Sequence, residues 1–202
     1  AIKLLKYLEE TTEQATPEQQ KILSRYVGWG GLADAFDPDK ESWSKEYAQL
    51  KELLTPEEYA AARGSTLNAH YTSPTVIKAI YEAVGRMGFE TGNILEPSCG
   101  VGNFFGMLPE EMRNSRLYGV ELDSISGRIA QQLYPKAGFE TTDRRDFYDL
   151  AVGNVPFGQY QVRDKAYDKL NFSIHNYFFA KALDQVRPGG VVAFVTSRYT
   201  MD

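Results

Sequence analysis

Cysteine, histidine and long apolar runs are scarce in this chain, and each scarcity excludes something. Cys99 is the only cysteine among 202 residues, so no internal disulfide can form, which is compatible with a reducing cytoplasm. His70 and His175 are the only histidines. Without a Cys/His cluster there is no zinc site to argue for, and no metal is expected. No apolar run approaches the roughly 20 residues of a membrane-spanning helix, and no secretory leader is visible. Positive charge is not in excess either: 22 Lys and Arg stand against 27 Asp and Glu, a net charge of −5. Autonomous DNA-binding domains ordinarily carry a basic face; a local basic groove is still compatible with that total. No internal repeat or low-complexity tract is present. The remainder is ordinary globular material, 43% hydrophobic and 24% charged, enough for one domain with an appendage. Because the chain starts at Ala1 and stops at Asp202 just past a strand, it is expected to be a piece of a longer protein.

The stretch around which the rest is organised is Ile94-Leu95-Glu96-Pro97-Ser98-Cys99-Gly100-Val101-Gly102-Asn103-Phe104. A short apolar run ends in an acid, followed by a tight glycine turn and then a helix. In a doubly wound sheet such a turn lies at the carboxyl end of the first strand, where ligands bind. Gly100 and Gly102 let the backbone pass close beneath a ligand. A second acid, Glu121, ends the run Leu117-Tyr118-Gly119-Val120-Glu121, nineteen residues past Gly102. That spacing suits recognition of a ribose diol. Dinucleotide-binding turns place a third glycine next to the pyrophosphate. Here that position is Phe105, which favours a nucleoside ligand without a pyrophosphate over NAD or FAD. Cys99, inside the turn, reads as a small packing residue rather than a nucleophile.

Residues 1–66 read as helices. Thr16-Pro17-Glu18-Gln19 and Thr55-Pro56-Glu57-Glu58 are capping-box signatures. Trp43, Tyr47, Leu50 and Leu54 fall at helical spacing. Gly28-Trp29-Gly30-Gly31 interrupts the pattern, either as a functional loop or, the favoured reading, as a tryptophan plugging a junction. Ser73 caps a helix that begins at Pro74 and buries Val76, Ile77, Ile80, Tyr81 and Val84. The helix after Asp123 carries Ile125, Ile129, Leu133 and Tyr134. A third strand belongs in the compressed segment 136–148, with Phe139, Glu140, Asp143 or Asp146-Phe147 as candidates to hold a ligand's base. Asp149-Leu150-Ala151-Val152-Gly153-Asn154-Val155-Pro156-Phe157-Gly158 is a second strand running into a polar residue, proline and an aromatic. In 158–172, Tyr160, Arg163, Lys165, Tyr167 and Lys169 interleave aromatic and basic groups, but Asp164 and Asp168 cancel much of the charge. Both a nucleic-acid groove and a solvated loop fit that pattern. Ser173 to Val186 reads as a helix, Pro188-Gly189-Gly190 as a turn, and Val191 to Thr196 as a final strand.

The two anchors, in this order and spacing, resemble class I S-adenosylmethionine-dependent methyltransferases, and more narrowly the amino-methyltransferases with an Asn-Pro-Pro-Tyr/Phe motif. Together with Tyr26-Val27-Gly28-Trp29-Gly30-Gly31-Leu32, they look like the N6-adenine DNA methylase segment of large methylase–helicase proteins of phages and conjugative elements. The resemblance covers about residues 68–202. It implies an α/β, Rossmann-like class I methyltransferase sheet of about five strands, truncated relative to complete members. Residues 1–66 would be a helical N-terminal extension and 67–202 the methyltransferase core. It implies S-adenosyl-L-methionine as cofactor, held by Tyr71, Thr72, Glu96, Pro97, Ser98, Gly100, Gly102, Asn103, Phe104, Glu121 and Leu122, with Phe139 stacking on the adenine and Asp143 taking its exocyclic amine. Asn154, Val155, Pro156 and Phe157 would carry the transfer, with adenine N6 in DNA as the acceptor. Val155 replaces the first proline of the common motif, which removes one fixed φ from the loop. The implied partner is DNA, recognised with help from outside this chain. Related motifs also methylate RNA bases and protein glutamines. A non-catalytic module that binds cofactor or scaffolds a larger machine is the reading from a different class.

Overall fold

The computed structural model describes residues 1–66, 71–139, 143–158 and 161–198. Its N-terminal third contains α1 (Ile2–Thr11), α2 (Pro17–Leu23), α3 (Ser44–Leu53) and α4 (Pro56–Ser65). The capping boxes form as expected. Thr16 and Thr55 accept from the backbone N–H of Gln19 and Glu58, and those side chains bond back to the threonine N–H groups at 2.8 and 2.9 Å. Proline opens both helices, where its missing N–H costs nothing.

These helices do not bury their apolar stripes against one another alone. Leu5, Leu8, Leu23, Trp29 and Phe36 share one core with Val101, Ile125 and Ile129 of the following region. Polar contacts tie the same faces together. Glu58, nearly buried, bonds Lys6 at 2.8 Å and Arg128 at 2.7 Å, and Arg128 also reaches Glu9 at 3.0 Å.

The rest is a five-stranded parallel sheet with helices on both faces. In chain order it comprises α5 (Pro74–Arg86), β1 (Asn93–Glu96), α6 (Asn103–Gly106), β2 (Arg116–Gly119), α7 (Ser124–Leu133), β3 (Gly138–Phe139), β4 (Tyr148–Asn154), α8 (Ile174–Gln185) and β5 (Val186–Val195). The spatial order is β3-β2-β1-β4-β5, with every pair parallel. Alternation along β4 builds two cores. Leu150 and Val152 face Ile77, Tyr81 and Val84 of α5, whereas Ala151 faces Ala182 of α8. Both faces of the strand are therefore apolar, as parallel sheets require.

Two local expectations change. The helix after the glycine turn is a single turn, Asn103–Gly106, because Gly106 and Pro109 follow immediately. Pro188-Gly189-Gly190 is not a turn before the last strand but an irregularity inside it. Tyr148 pairs with Val186 and Leu150 with Val191, so β5 carries the extra residues as a bulge, with Gly189 at φ +85°. The 161–172 segment turns inward on α8. Tyr167 is buried and donates to Asp184 at 2.6 Å, while Asp164 accepts from Tyr177 and Lys181 at 2.9 Å each. Its aromatic and acidic groups thus serve packing. Tyr160 lies outside the described residues. Among the described residues, no helix is long and apolar enough to cross a membrane, and no group of His, Cys, Asp and Glu is placed to hold a metal.

Candidate functional site

The strand order reverses direction between β1 and β4. Their carboxyl ends, Glu96 and Asn154, flank the crevice in which open α/β sheets bind ligands. A cavity of about 1060 Å³ opens there. That is at the upper end of the ~300–1,000 Å³ usual for ligand sites.

The turn that floors the cavity is built by backbone hydrogen bonds. Val120 N–H donates to Glu96 C=O at 3.0 Å, Cys99 N–H to Val120 C=O at 2.9 Å, and Gly102 N–H to Cys99 C=O at 2.8 Å. The glycines serve different ends. Gly100 has φ +55° and open space where a Cβ would point, so its backbone faces the cavity bare. Gly102 has φ +81°, and a Cβ there would come within 2.5 Å of the Tyr134 ring. The close approach expected at Gly102 is therefore to the protein's own aromatic packing. Phe105, in place of a third glycine, is buried with its ring 5.7 Å from that of Tyr134.

Three acids sit on this floor. Glu121 accepts from Gly100 N–H at 2.7 Å and from Asp123 N–H at 2.8 Å. A carboxylate offers about four acceptor sites, so capacity is left for a ligand's hydroxyls. Burial raises the Glu121 carboxyl above its usual range even though backbone N–H groups oppose the shift. Glu96 is buried, its Oε2 has no hydrogen-bond partner, and burial together with the nearby Glu121 holds its carboxyl well above the usual range. Asp123 caps α7, accepting from Ser126 N–H at 3.1 Å and Ser126 Oγ at 2.5 Å, while its Oδ1 is buried without a partner. Burying unpaired carboxylate oxygens is costly. Their concentration among the lining residues of one cavity sets this floor apart from the apolar cores.

Across the crevice, Gly153 lies against Glu96, and a Cβ there would come 3.3 Å from Glu96 Cγ. Val155 explains its own departure from the proline of the common motif. Its N–H, which proline lacks, donates to Val195 C=O at 3.2 Å and pins the turn to β5. A hydrogen bond thus replaces the rigidity that a fixed φ would supply.

Of the residues singled out in the sequence, Tyr71, Thr72, Glu96, Ser98, Gly100, Asn103, Phe104, Glu121, Leu122, Asn154, Val155 and Pro156 line this one cavity. Pro97, Gly102 and Phe157 adjoin lining residues in the chain without lining it themselves. Phe139 packs over Gly119, where its Cε1 lies 3.0 Å from the position of a Cβ. Asp143 is not brought to the cavity: it accepts from Gln185 Nε2 at 3.0 Å, at the end of α8. Glu140 lies outside the described residues.

The part of the lining that comes from the N-terminal helices was not assigned from sequence. Tyr26, Val27, Gly28 and Trp29 line it together with Gly64 and Ser65 at the end of α4. The one available signal was a tryptophan among glycines. Asp123 was likewise read only as a helix start, and Ser126 was not singled out.

No family model matches the chain. The "Defense against restriction protein B" of Escherichia phage P1 is 29% identical over 191 residues, which are 89% of this chain and 7% of that protein. The "Type II methyltransferase M.CvrRI" of a Paramecium bursaria Chlorella virus is 34% identical over 91 residues, 43% of this chain and 24% of that protein. Among solved structures, a type I restriction-modification methyltransferase subunit from Streptococcus thermophilus matches with TM-score 0.49 and 15% identity, over 76% of this chain and 42% of that one. The chain thus spans a quarter or less of the length of these two curated relatives. By fold it is a doubly wound parallel α/β protein, and by sequence it is similar to a phage protein of defense against restriction and, over part of its length, to a viral type II methyltransferase.

Proposed function

We propose that this chain binds S-adenosyl-L-methionine and is the catalytic segment of a DNA methyltransferase acting on the N6 amine of adenine. The observation that carries this reading is convergence. The bare Gly100 backbone, the Glu121 carboxylate, and the Asn154-Val155-Pro156 turn reach one cavity across the sheet's switch point. The kinship with a viral methyltransferase is in keeping with it. In this reading residues 67–202 form the methyltransferase core, and residues 1–66 a helical extension covering it.

The site fits the cofactor on its own chemistry. Glu121 retains acceptor sites for a ribose diol, and Glu96 and Asp123, each with a carboxyl oxygen that lacks a partner, are among the residues that line the same cavity. Tyr71 and Thr72, just before the Ser73 cap of α5, stand at the methionine end. When bound, the cofactor supplies an electrophilic methyl group on a sulfonium. The chain's own task is to make an aromatic amine nucleophilic, because that nitrogen's lone pair is delocalised into the ring. Asn154 Oδ1 and the Val155 carbonyl accept the two amine hydrogens, drawing the nitrogen toward tetrahedral geometry. The Val155 N–H bond to Val195 fixes the peptide plane between Asn154 and Val155 and so anchors the turn from which that carbonyl projects. Phe157 stacks on the base once it has left the duplex, as enzymes acting on bases require. Positioning and fixed dipoles do most of the work.

The test has two stages. Calorimetric titration with S-adenosylmethionine should show binding that Glu121→Ala weakens strongly. The full-length protein should methylate adenine-containing duplex DNA, and Asn154→Ala should abolish this while leaving cofactor binding intact. Methylation of RNA or of a glutamine-containing peptide instead would move the acceptor. Full function in the Asn154→Ala protein would leave a non-catalytic module. The small share of each relative that this chain spans favours assay in the whole protein.

A further inference from the structure

The N-terminal extension does more than cover the sheet. We infer that Val27 of the extension, together with Leu122 of the turn after β2, holds the adenine of the cofactor by apolar contact with its ring. The inference rests on the S-adenosylmethionine reading and deepens it, because it places part of the base subsite on residues 1–66.

Two residues expected at the base are engaged elsewhere. Asp143 accepts from Gln185 at 3.0 Å, and Phe139 packs over Gly119 without lining the cavity. What the cavity does have is exposed apolar surface. Leu122 is 97% exposed and Val27 71%, and both are lining residues. Single exposed apolar residues are ordinary, but apolar surface gathered at one concavity marks a ligand surface.

Neither residue sits on a free loop. Leu122 stands between Glu121, which accepts from Gly100 N–H and Asp123 N–H at 2.7 and 2.8 Å, and Asp123, which caps α7. Val27 follows Tyr26, whose N–H donates to Leu23 C=O at 2.9 Å. It precedes Gly28 and the buried Trp29, whose ring packs on Tyr26 and Phe36. The two segments meet at the start of α7. The Tyr26 hydroxyl lies beside Ser126 and in the field of Asp123, and Trp29 shares a core with Ile125 and Ile129. Val27 is thus flanked by residues packed on the helix that Leu122 precedes by two positions.

The chemistry selects the ligand group. Glu121 takes the ribose hydroxyls in the cofactor reading, and the base is bonded to that same ribose, so the next side chain, Leu122, reaches the base. The ribose presents hydroxyls, and the methionine end a carboxylate and an ammonium. The purine is the part of the ligand with flat faces of low polarity, and aliphatic contact removes apolar surface of both partners from water.

The experiment is NMR of the methyl-labelled chain titrated with S-adenosylhomocysteine and with adenosine, beside calorimetry on the wild type, Val27→Ala and Leu122→Ala. Nuclear Overhauser contacts should join the adenine ring protons to methyl groups of both Val27 and Leu122, and those methyls should show ring-current shifts with either ligand. Val27→Ala should bind both ligands about 4- to 15-fold more weakly, the range for one to two buried carbons, and Leu122→Ala at least as weakly. Because Val27 is exposed, its variant should unfold at the wild-type temperature, which separates lost affinity from lost fold. Base contacts to Leu122 alone, or unchanged affinity in Val27→Ala, would overturn the role of the extension and leave the cofactor reading standing. Weakened S-adenosylhomocysteine binding with unchanged adenosine binding would overturn the base assignment. Absence of binding of either ligand by the folded wild type would overturn both the inference and the reading beneath it.

Discussion

Glu58→Gln tests how the N-terminal helices are held to the sheet. Glu58 opens α4 as the third residue of its capping box, and its carboxylate takes Lys6 and Arg128 at 2.8 and 2.7 Å. Burial alone would raise its carboxyl, but the bonds from Lys6, the Thr55 N–H and Arg128 outweigh it and hold the group at about 2, against an ordinary 4.5. A depression of that size is worth about 3 kcal/mol of folding stability at most, at 1.36 kcal/mol per pKa unit. The folded-state value lies below the unfolded one. The contribution is therefore fully present above pH ~4.5 and disappears as the pH falls through the folded value near 2. Glutamine retains the capping-box bond to Thr55, so the substitution isolates the charge. Urea unfolding at pH 7 should show the variant about 2–3 kcal/mol less stable, with the gap narrowing from about pH 5 downward. Equal midpoints at pH 7, or a gap that does not change between pH 7 and pH 3, would refute the assignment.

Other expectations follow from single contacts. Gly102→Ala combines a positive φ with a Cβ 2.5 Å from the Tyr134 ring; it should cost about 2–4 kcal/mol in urea unfolding. Tyr81→Phe deletes the buried hydroxyl that donates to Phe104 C=O at 2.8 Å and supports the short helix after the glycine turn. A loss of about 1–2 kcal/mol in thermal unfolding is expected, with cofactor affinity reduced if the turn shifts. Cys99 is buried, and burial with the nearby Glu96 and Glu121 pushes its thiol well above the usual range. Iodoacetamide at pH 8 should alkylate it slowly in the folded chain and readily in urea.

The parts of this fold and site that were legible in the sequence are those with a local cause. A threonine followed by a proline and, three residues after the threonine, by Gln or Glu makes a capping box, and α2 and α4 start where Thr16 and Thr55 place them. Apolar runs closed by Glu96 and Asn154 mark strand ends, because a parallel strand buries both faces until it leaves the sheet, whereas β2 stops at Gly119, two residues before the expected end at Glu121. Their arrival at one cavity follows from strand order. What was not legible depends on distant pairing. Nothing near Pro188-Gly189-Gly190 reveals that Val186 pairs with Tyr148, which makes the segment a bulge rather than a turn. Asp143 is an acid after a third strand, as an adenine-binding acid should be, yet its partner is Gln185, 42 residues away. The value of Val155 was hidden for the same reason, since its N–H matters only because Val195 lies beside it.

Glu58 and Trp29 belong to one physical argument. The cavity wall that carries Tyr26 and Trp29 has no strand of its own; it is positioned by packing on Val101, Ile125 and Ile129 and by the bonds that Glu58 and Glu9 make to Arg128 of α7. The same helix α7 begins at Asp123, which sits in the cavity and accepts from Ser126. One rigid element thus carries Asp123 of the cavity at its start and, about one turn further on, Arg128, which ties down the N-terminal helices. The placing of the N-terminal helices at the cavity therefore depends on α7 as well as on the loops. It follows that Glu58→Gln should weaken cofactor binding at pH 7 although Glu58 does not line the cavity. Binding that stays unchanged in a folded variant would mean that packing alone fixes the wall.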